Sequence, residues 1–208
     1  MTKGDIFRGD NPIEIFKRWL SEASETESND PNAIALATVD QNGLPNVRMV
    51  LLKFIEPDGF IFFTNFESVK GKEVNINNKA AFVLHWKTLK RQIRVRGRLK
   101  REDGRIADDY FALRDVGSQI GAWASKQSLK LSSQAELTQR IDYYSKRFGK
   151  KVPRPSHWGG FSLKPQEIEF WSDGDSRIHE RVLWKKKFPF RWKPQDLDSE
   201  WEVCQLYP

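Results

Sequence analysis

Between Ser118 and Ser128 the chain reads Ser-Gln-Ile-Gly-Ala-Trp-Ala-Ser-Lys-Gln-Ser, so two glutamines, three hydroxyls, an indole and a cation surround a Gly-Ala pair. Hydroxyls and amides at a helix start or tight loop are good ligands for a phosphate or the polar edge of a heterocycle. A stretch that only filled a core would hold fewer hydrogen-bonding groups. Upstream, Tyr110 and Arg114 lie four residues apart in a segment of helical spacing and so share a face. With Ser118 they could meet on one phosphate. A packed tyrosine beside a surface arginine is the alternative, and spacing alone favours it.

Other segments carry similar chemistry. Arg48-Met49-Val50-Leu51-Leu52-Lys53 sets cations at both ends of an apolar run. In a regular strand these two point to opposite faces, and both serve one ligand only if a bulge re-aims one. The competing reading is a core strand with solvated ends. In Gln92-Ile93-Arg94-Val95-Arg96 the polar residues share a face, either as a half-exposed strand or with Gln92 bonding a ring edge at a site mouth. Thr64 to Gly71 leaves a strand and enters a helix, where backbone N–H groups, hydroxyls and Lys70 suit a phosphate. Helix capping by Ser68 explains the same residues. Arg177-Ile178-His179-Glu180-Arg181 alternates as a strand, and two arginines flanking a histidine repel unless an anion or acid compensates; a solvated strand face is the competing reading.

The elements that must hold these groups follow from periodicity and turn chemistry. Asn11-Pro12-Ile13-Glu14 reads as a helix start, with an amphipathic helix over Pro12–Glu22 and a polar linker over Ser24–Asp30. Strands are predicted at Ala33–Asp40, Val47–Ile55, Phe60–Asn65, Ala80–Trp86 and Gln92–Lys100, with turns at Asn42-Gly43 and Pro57-Asp58-Gly59. Helices follow at Arg105–Leu113 and from Ser133, which opens a capping box, to about Phe148. Strands return at Gly160–Leu163, Glu167–Trp171, Ile178–Trp184 and Trp201–Leu206. Short antiparallel strands with tight turns argue for a β-barrel with flanking helices, a mainly β, α+β chain. Residues 1–30 read as a helix and linker, and 31–208 as a single domain.

Composition narrows the partners. A chain of 208 residues suffices for one domain, and eight tryptophans with fourteen phenylalanines require large buried surfaces, for which a dimer interface is a natural place. The 35 lysines and arginines exceed 28 acids, which reads either as a soluble surface with a basic bias or as cations converging on small phosphorylated ligands. Nucleic-acid binding is the sharper alternative, but no basic run carries the aromatic interleaving of an RNA module. A lone Cys204 excludes an internal disulfide, and His85, His157 and His179 are too scattered for a zinc site. With no signal-like segment in Met1–Asn11 and no run long enough to cross a bilayer, a cytoplasmic protein is expected.

Taken together these motifs resemble the pyridoxamine (pyridoxine) 5′-phosphate oxidase family from about Pro31 to the C-terminus. The markers are Arg48–Lys53, Phe63-Thr64-Asn65, Ser68-Val-Lys-Gly71, Arg91-Gln92, Ser118–Ser128, Pro153-Arg-Pro155, Trp158-Gly-Gly160, Ile168-Glu-Phe-Trp171 and Arg177–Arg181. The resemblance implies a homodimer of FMN-binding split β-barrels with sites at the subunit interface. It implies oxidation of pyridoxamine or pyridoxine 5′-phosphate to pyridoxal 5′-phosphate, with hydride passing from C4′ to FMN and O2 reoxidising the flavin to give hydrogen peroxide. FMN would be held by Arg48, Met49, Val50, Leu51, Leu52, Lys53, Phe63, Thr64, Val69, Lys70, Gln92, Gln127, Ser128, Trp171 and Arg181, with Gln127 and Ser128 reaching it across the interface. Lys53, Tyr110, Arg114 and Ser118 would grip the substrate phosphate. Arg177, Ile178 and His179 would cover the pyridine ring, Arg177 and His179 orienting the reacting carbon. Three departures stand out: Val69 where the family commonly has arginine, Phe63 for a common tyrosine, and no arginine in Gln205–Pro208. The alternative is a flavin- or pyridoxal-phosphate-binding split barrel without turnover.

Overall fold

Buried and half-buried side chains alternate along Ala33–Val39 (β1), the pattern of a strand with one face on a core. In a computed structural model, which describes residues 6–187 and 200–208, β1 pairs antiparallel with Pro45–Glu56 (β2) through the turn at Asn42-Gly43. Gly43 takes φ 84° there, and the Asp40 carboxylate accepts from the N–H groups of Asn42 and Leu44. Gly59–Asn65 (β3), Lys79–Trp86 (β4), Arg91–Glu102 (β5) and Trp158–Ser172 (β6) complete the order β3-β2-β1-β4-β5-β6, and β3 pairs back onto β6. Six antiparallel strands thus close a barrel, which leaves no free edge inside it. Glu180–Lys186 (β7) and Trp201–Leu206 (β8) continue the sheet beyond β6.

The two strands read from the sequence at Gly160–Leu163 and Glu167–Trp171 are one strand of 15 residues. Its first part pairs with β3 and its second with β7, while β5 follows it throughout. Pro165, between the two predicted strands, sits where the register with β5 shifts between Arg96 and Gly97. A bulge tolerates proline, and Gly97 is required opposite it because a Cβ would lie 2.1 Å from the Lys164 carbonyl.

Five helices flank the barrel among the described residues: Pro12–Thr26 (α1), Val69–Ile76 (α2), Arg105–Leu113 (α3), Val116–Ala124 (α4) and Gln134–Phe148 (α5). The Asn11 side chain caps α1 by accepting from Ile13 N–H at 2.8 Å. Its apolar stripe enters the barrel core, Phe16 packing on Phe60 at 4.6 Å and Trp19 edge-on to Phe170 at 5.2 Å. Residues before Pro31 therefore share the barrel's core. No helix among the described residues is long and apolar enough to cross a membrane.

Candidate functional site

A cleft of about 1070 Å³ opens between β2, β3, the start of α2 and the α3–α4 segment. Arg48 and Lys53 both line it despite their opposite parity. The register of β2 against β3 passes from Leu52↔Phe62 to Phe54↔Ile61, so Lys53 is the extra residue of a bulge and is re-aimed. Met49, Val50 and Leu51 also line the cleft, whereas Leu52, 3% exposed, turns into the core.

At the α2 end, Ser68 does cap the helix, accepting from Gly71 N–H at 3.4 Å. Gly71 is required because a Cβ would stand 2.1 Å from the Phe66 carbonyl oxygen. The cap places buried Lys70 so that Nζ donates to Thr64 Oγ1 at 3.1 Å, Ser68 Oγ at 3.3 Å and Gln127 Oε1 at 3.2 Å. Burial, and next the charge of Arg48, lower the Lys70 pKa to about 8, with Glu73 opposing the shift. Arg48 donates through Nη1 to the Leu36 carbonyl at 3.2 Å and to Thr38 Oγ1, and through Nη2 to Glu73 at 3.1 Å. Val69 is exposed on the cleft wall and brings no charge.

The α3–α4 end carries a second set. Tyr110 stacks on Phe63 (centroids 4.3 Å, planes 20° apart), and Phe63 stacks on Trp158 (5.4 Å, 7°). Gly160 makes room for this stack, since a Cβ there would meet the Phe63 ring at 3.0 Å. Arg114 follows α3 with its guanidinium 4.8 Å from the Trp158 ring centre, and its buried Nη1 has no hydrogen-bond partner among the described residues. Burial lowers the Arg114 pKa from its usual value. Asp115 caps α4 by accepting from Ser118 N–H at 2.8 Å, and the Ser118 hydroxyl together with this N–H holds its carboxyl below the usual range. Lys53, Ser118, Gln127 and Ser128 all face the same cleft. Gln127, expected from across an interface, meets Thr64 and Lys70 of its own chain. Not every polar group of Ser118–Ser128 serves the cleft. Buried Gln119 donates to the Phe111 carbonyl at 2.8 Å, and Trp123 donates to the Pro153 carbonyl at 2.7 Å.

Gln92, Trp171, Arg177, Ile178, His179 and Arg181 do not line this cleft. Gln92, Trp171 and Arg181 are instead register neighbours across β5, β6 and β7. Arg181 makes contacts of 3.0 Å through Nε and 2.9 Å through Nη2 with Glu169, whose other oxygen meets Arg94 at 2.9 Å. His179 packs on Trp171 with centroids 4.6 Å apart, its Nδ1 3.2 Å from Asp173. The strand expected from Ile178 starts only at Glu180. Ser176 and Arg177 adopt φ 54° and 65° in a 3-10 turn, so Arg177 and His179 project from a turn instead of alternating along a strand. Sequence reasoning missed both buried acids. Glu73 had a readable signal, three residues beyond Lys70 on one helix face. Glu169 alternates with Trp171, but nothing local marks it as buried.

An outer sheet face is also apolar. Val47 and Met49 are 65% and 63% exposed, and Val47 adjoins a shallow concavity with Ala35, Ala37, Ala81 and Val83. No cluster of three or more potential metal ligands occurs among the described residues.

Comparison with known proteins agrees with this architecture. Residues 20–172 match the family described as pyridoxamine 5′-phosphate oxidase, and residues 158–208 match its pyridoxine 5′-phosphate oxidase C-terminal dimerisation region. A pyridoxine/pyridoxamine 5′-phosphate oxidase of Roseobacter denitrificans is 54% identical over 97% of this chain and 96% of its own length. One from Cereibacter sphaeroides is 52% identical over the whole of both chains. Among solved structures, PhzG of Burkholderia lata, in complex with tetrahydrophenazine-1-carboxylic acid, superposes with TM-score 0.87 at 28% identity, covering 96% of this chain and 94% of its own. A pyridoxamine 5′-phosphate oxidase-related, FMN-binding protein of Nostoc punctiforme shares the fold, with TM-score 0.72 at 14% identity over 97% of this chain and 100% of its own. The barrel, its cleft and these matches over the full length place the chain in the pyridoxamine/pyridoxine 5′-phosphate oxidase family.

Proposed function

We propose that this chain is an FMN-dependent oxidase that converts pyridoxamine or pyridoxine 5′-phosphate to pyridoxal 5′-phosphate, acting as a homodimer. The observation that carries the reading is the pair of separate anion-binding sets in one cleft, Arg48 with Lys70 at α2 and Arg114 with Ser118 at α3–α4. Two phosphorylated ligands account for both sets, and the buried, unpartnered Nη1 of Arg114 suits a phosphate oxygen. A volume of about 1070 Å³ lies at the upper end of single-ligand sites, in keeping with cofactor and substrate side by side.

Arg48, Lys70, Thr64 and Gln127 would bind FMN at its phosphate end, with the 49–51 backbone and Ser128 alongside. Bound there, FMN supplies the hydride acceptor and the reaction with O2 that yields hydrogen peroxide. Lys53, Tyr110, Arg114 and Ser118 hold the substrate phosphate. Gln92, Trp171 and Arg181 for the flavin, and Arg177, Ile178 and His179 for the pyridine ring, come from the second protomer. All but Gln92 lie in the segment matching a dimerisation region, and the exposed apolar face around Val47 and Met49 offers the surface to bury. Arg177 and His179 then orient the carbon that gives up hydride and exclude water from it. One exposed cysteine, Cys204, is compatible with a reducing cytoplasm.

The test is to incubate the purified protein with pyridoxine 5′-phosphate and O2, with and without added FMN. Pyridoxal 5′-phosphate and peroxide should form together. A protein that takes up no FMN overturns the reading. A flavoprotein that leaves the substrate unchanged favours the binder without turnover.

A further inference from the structure

Glu73 raises a physical question. It is 5% exposed, lies on the second turn of α2 and sits beside the two cations assigned above to the flavin phosphate. An acid next to an anion site weakens its attraction for the anion, and burying a carboxylate costs desolvation. The contacts show the compensation. One oxygen accepts from Thr38 Oγ1 and from Arg48 Nη2 at 3.1 Å, the other from Asn46 Nδ2 at 3.1 Å. One carboxylate therefore ties α2 to both β1 and β2. These hydrogen bonds and the Arg48 charge outweigh burial and hold the carboxyl below its usual range, so it stays ionised at neutral pH. With Val69 bringing no charge, Arg48 and Lys70 are the cations at this end of the cleft among the described residues, and the aim of Arg48 matters correspondingly more.

We propose that Glu73 is a positioning residue for cofactor selection: it holds the Arg48 guanidinium against Thr38 and the Leu36 carbonyl, in the orientation that grips a flavin phosphate, and so sets the preference for FMN over riboflavin. This rests on the function proposed above. The readout is the ratio of riboflavin to FMN dissociation constants, measured by flavin fluorescence on the full chain after bound flavin is removed. A general loss of structure weakens both flavins, whereas loss of phosphate aim weakens FMN alone.

Glu73→Asp keeps the charge but withdraws it by one methylene, and should reduce the preference on the order of tenfold with riboflavin affinity unchanged. Glu73→Gln keeps the reach and a hydrogen bond, and should stay within about threefold of the parent. Should Glu73→Asp not fold, Thr38→Val removes the hydroxyl shared by Glu73 and Arg48 and should lower the preference in the same way. An unchanged preference in Glu73→Asp, or in Thr38→Val where it is used instead, overturns the inference. So does a loss in Glu73→Gln as large as in Glu73→Asp, or parallel weakening of both flavins. A parent protein with no preference for FMN instead overturns the phosphate reading on which the inference rests.

Discussion

Lys70 Nζ lies 3.2 Å from Gln127 Oε1, tying the start of α2 to a loop 57 residues further on. The lysine is buried beside Arg48, and its pKa is about 8, which determines how the site should respond to pH.

A phosphate binds the protonated lysine and stabilises it. FMN affinity should therefore be full below about pH 8 and fall as pH rises above it. The contribution of Lys70 to folding has the opposite trend. Between about 8 and the unfolded value of 10.5 the unfolded chain holds more protons, so stability of the flavin-free protein gains from this residue as pH rises. Flavin titrations across this range test the first statement. Lys70→Met should bind FMN weakly and with the alkaline decline removed, and a parent affinity that stays flat to pH 10 would sink the assignment.

Gly71→Ala should damage the same end by steric means. The added methyl would stand 2.1 Å from the Phe66 carbonyl oxygen, a backbone atom that cannot swing aside. Overpacking of this kind costs about 1–3 kcal/mol. The melting temperature should drop and FMN affinity should fall with it, because Ser68 and Lys70 shift together. Unchanged melting and flavin binding would show that α2 relaxes freely.

Much of this was legible in the sequence, and the failures share one cause. Hairpin chemistry at Asn42-Gly43 and the alternation of the early strands led to the barrel, since both are local. The sharing of a cleft by Arg48 and Lys53 depends on one bulged residue, which parity alone left open between two readings. Gly160–Leu163 and Glu167–Trp171 read as two strands because the bulge that carries one strand past Pro165 belongs to β5 and β6 together. The polar groups of Ser118–Ser128 divide between cleft-facing Gln127 and helix-packing Gln119, a division set by α3 and β3 and by no local spacing. Glu73 and Glu169 escaped because their significance lies in cations brought from other strands.

The two sets of predicted site residues allow a complementation test. Arg48→Ala should inactivate a cleft, and Arg177→Ala should inactivate the arm proposed to complete a neighbour's cleft. If sites are shared between protomers, a mixed dimer of these two variants retains one intact site. Co-expression with random pairing should recover about a quarter of the parent activity, although neither variant alone is active. Absence of recovery in verified mixed dimers would mean that each chain completes its own site.

Arg177 and Arg181 lie four residues apart but should fail differently. Arg177 is exposed in a left-handed turn and has no ion pair among the described residues, so Arg177→Ala should lower turnover while leaving melting temperature and flavin content nearly unchanged. Arg181 bonds Glu169 through two nitrogens and donates to the Tyr207 carbonyl at 3.0 Å. Its removal leaves Glu169, 4% exposed, with Arg94 as its remaining cation among the described residues. Breaking a buried pair from one side costs several kcal/mol in full burial, and Arg94 softens this to about 1–3 kcal/mol. Arg181→Ala should therefore melt earlier and release FMN more readily. Pairing it with Glu169→Gln should restore part of the stability, because the orphaned charge is removed, but should not restore the flavin. Recovery of both in the double variant would show that Arg181 serves only the sheet.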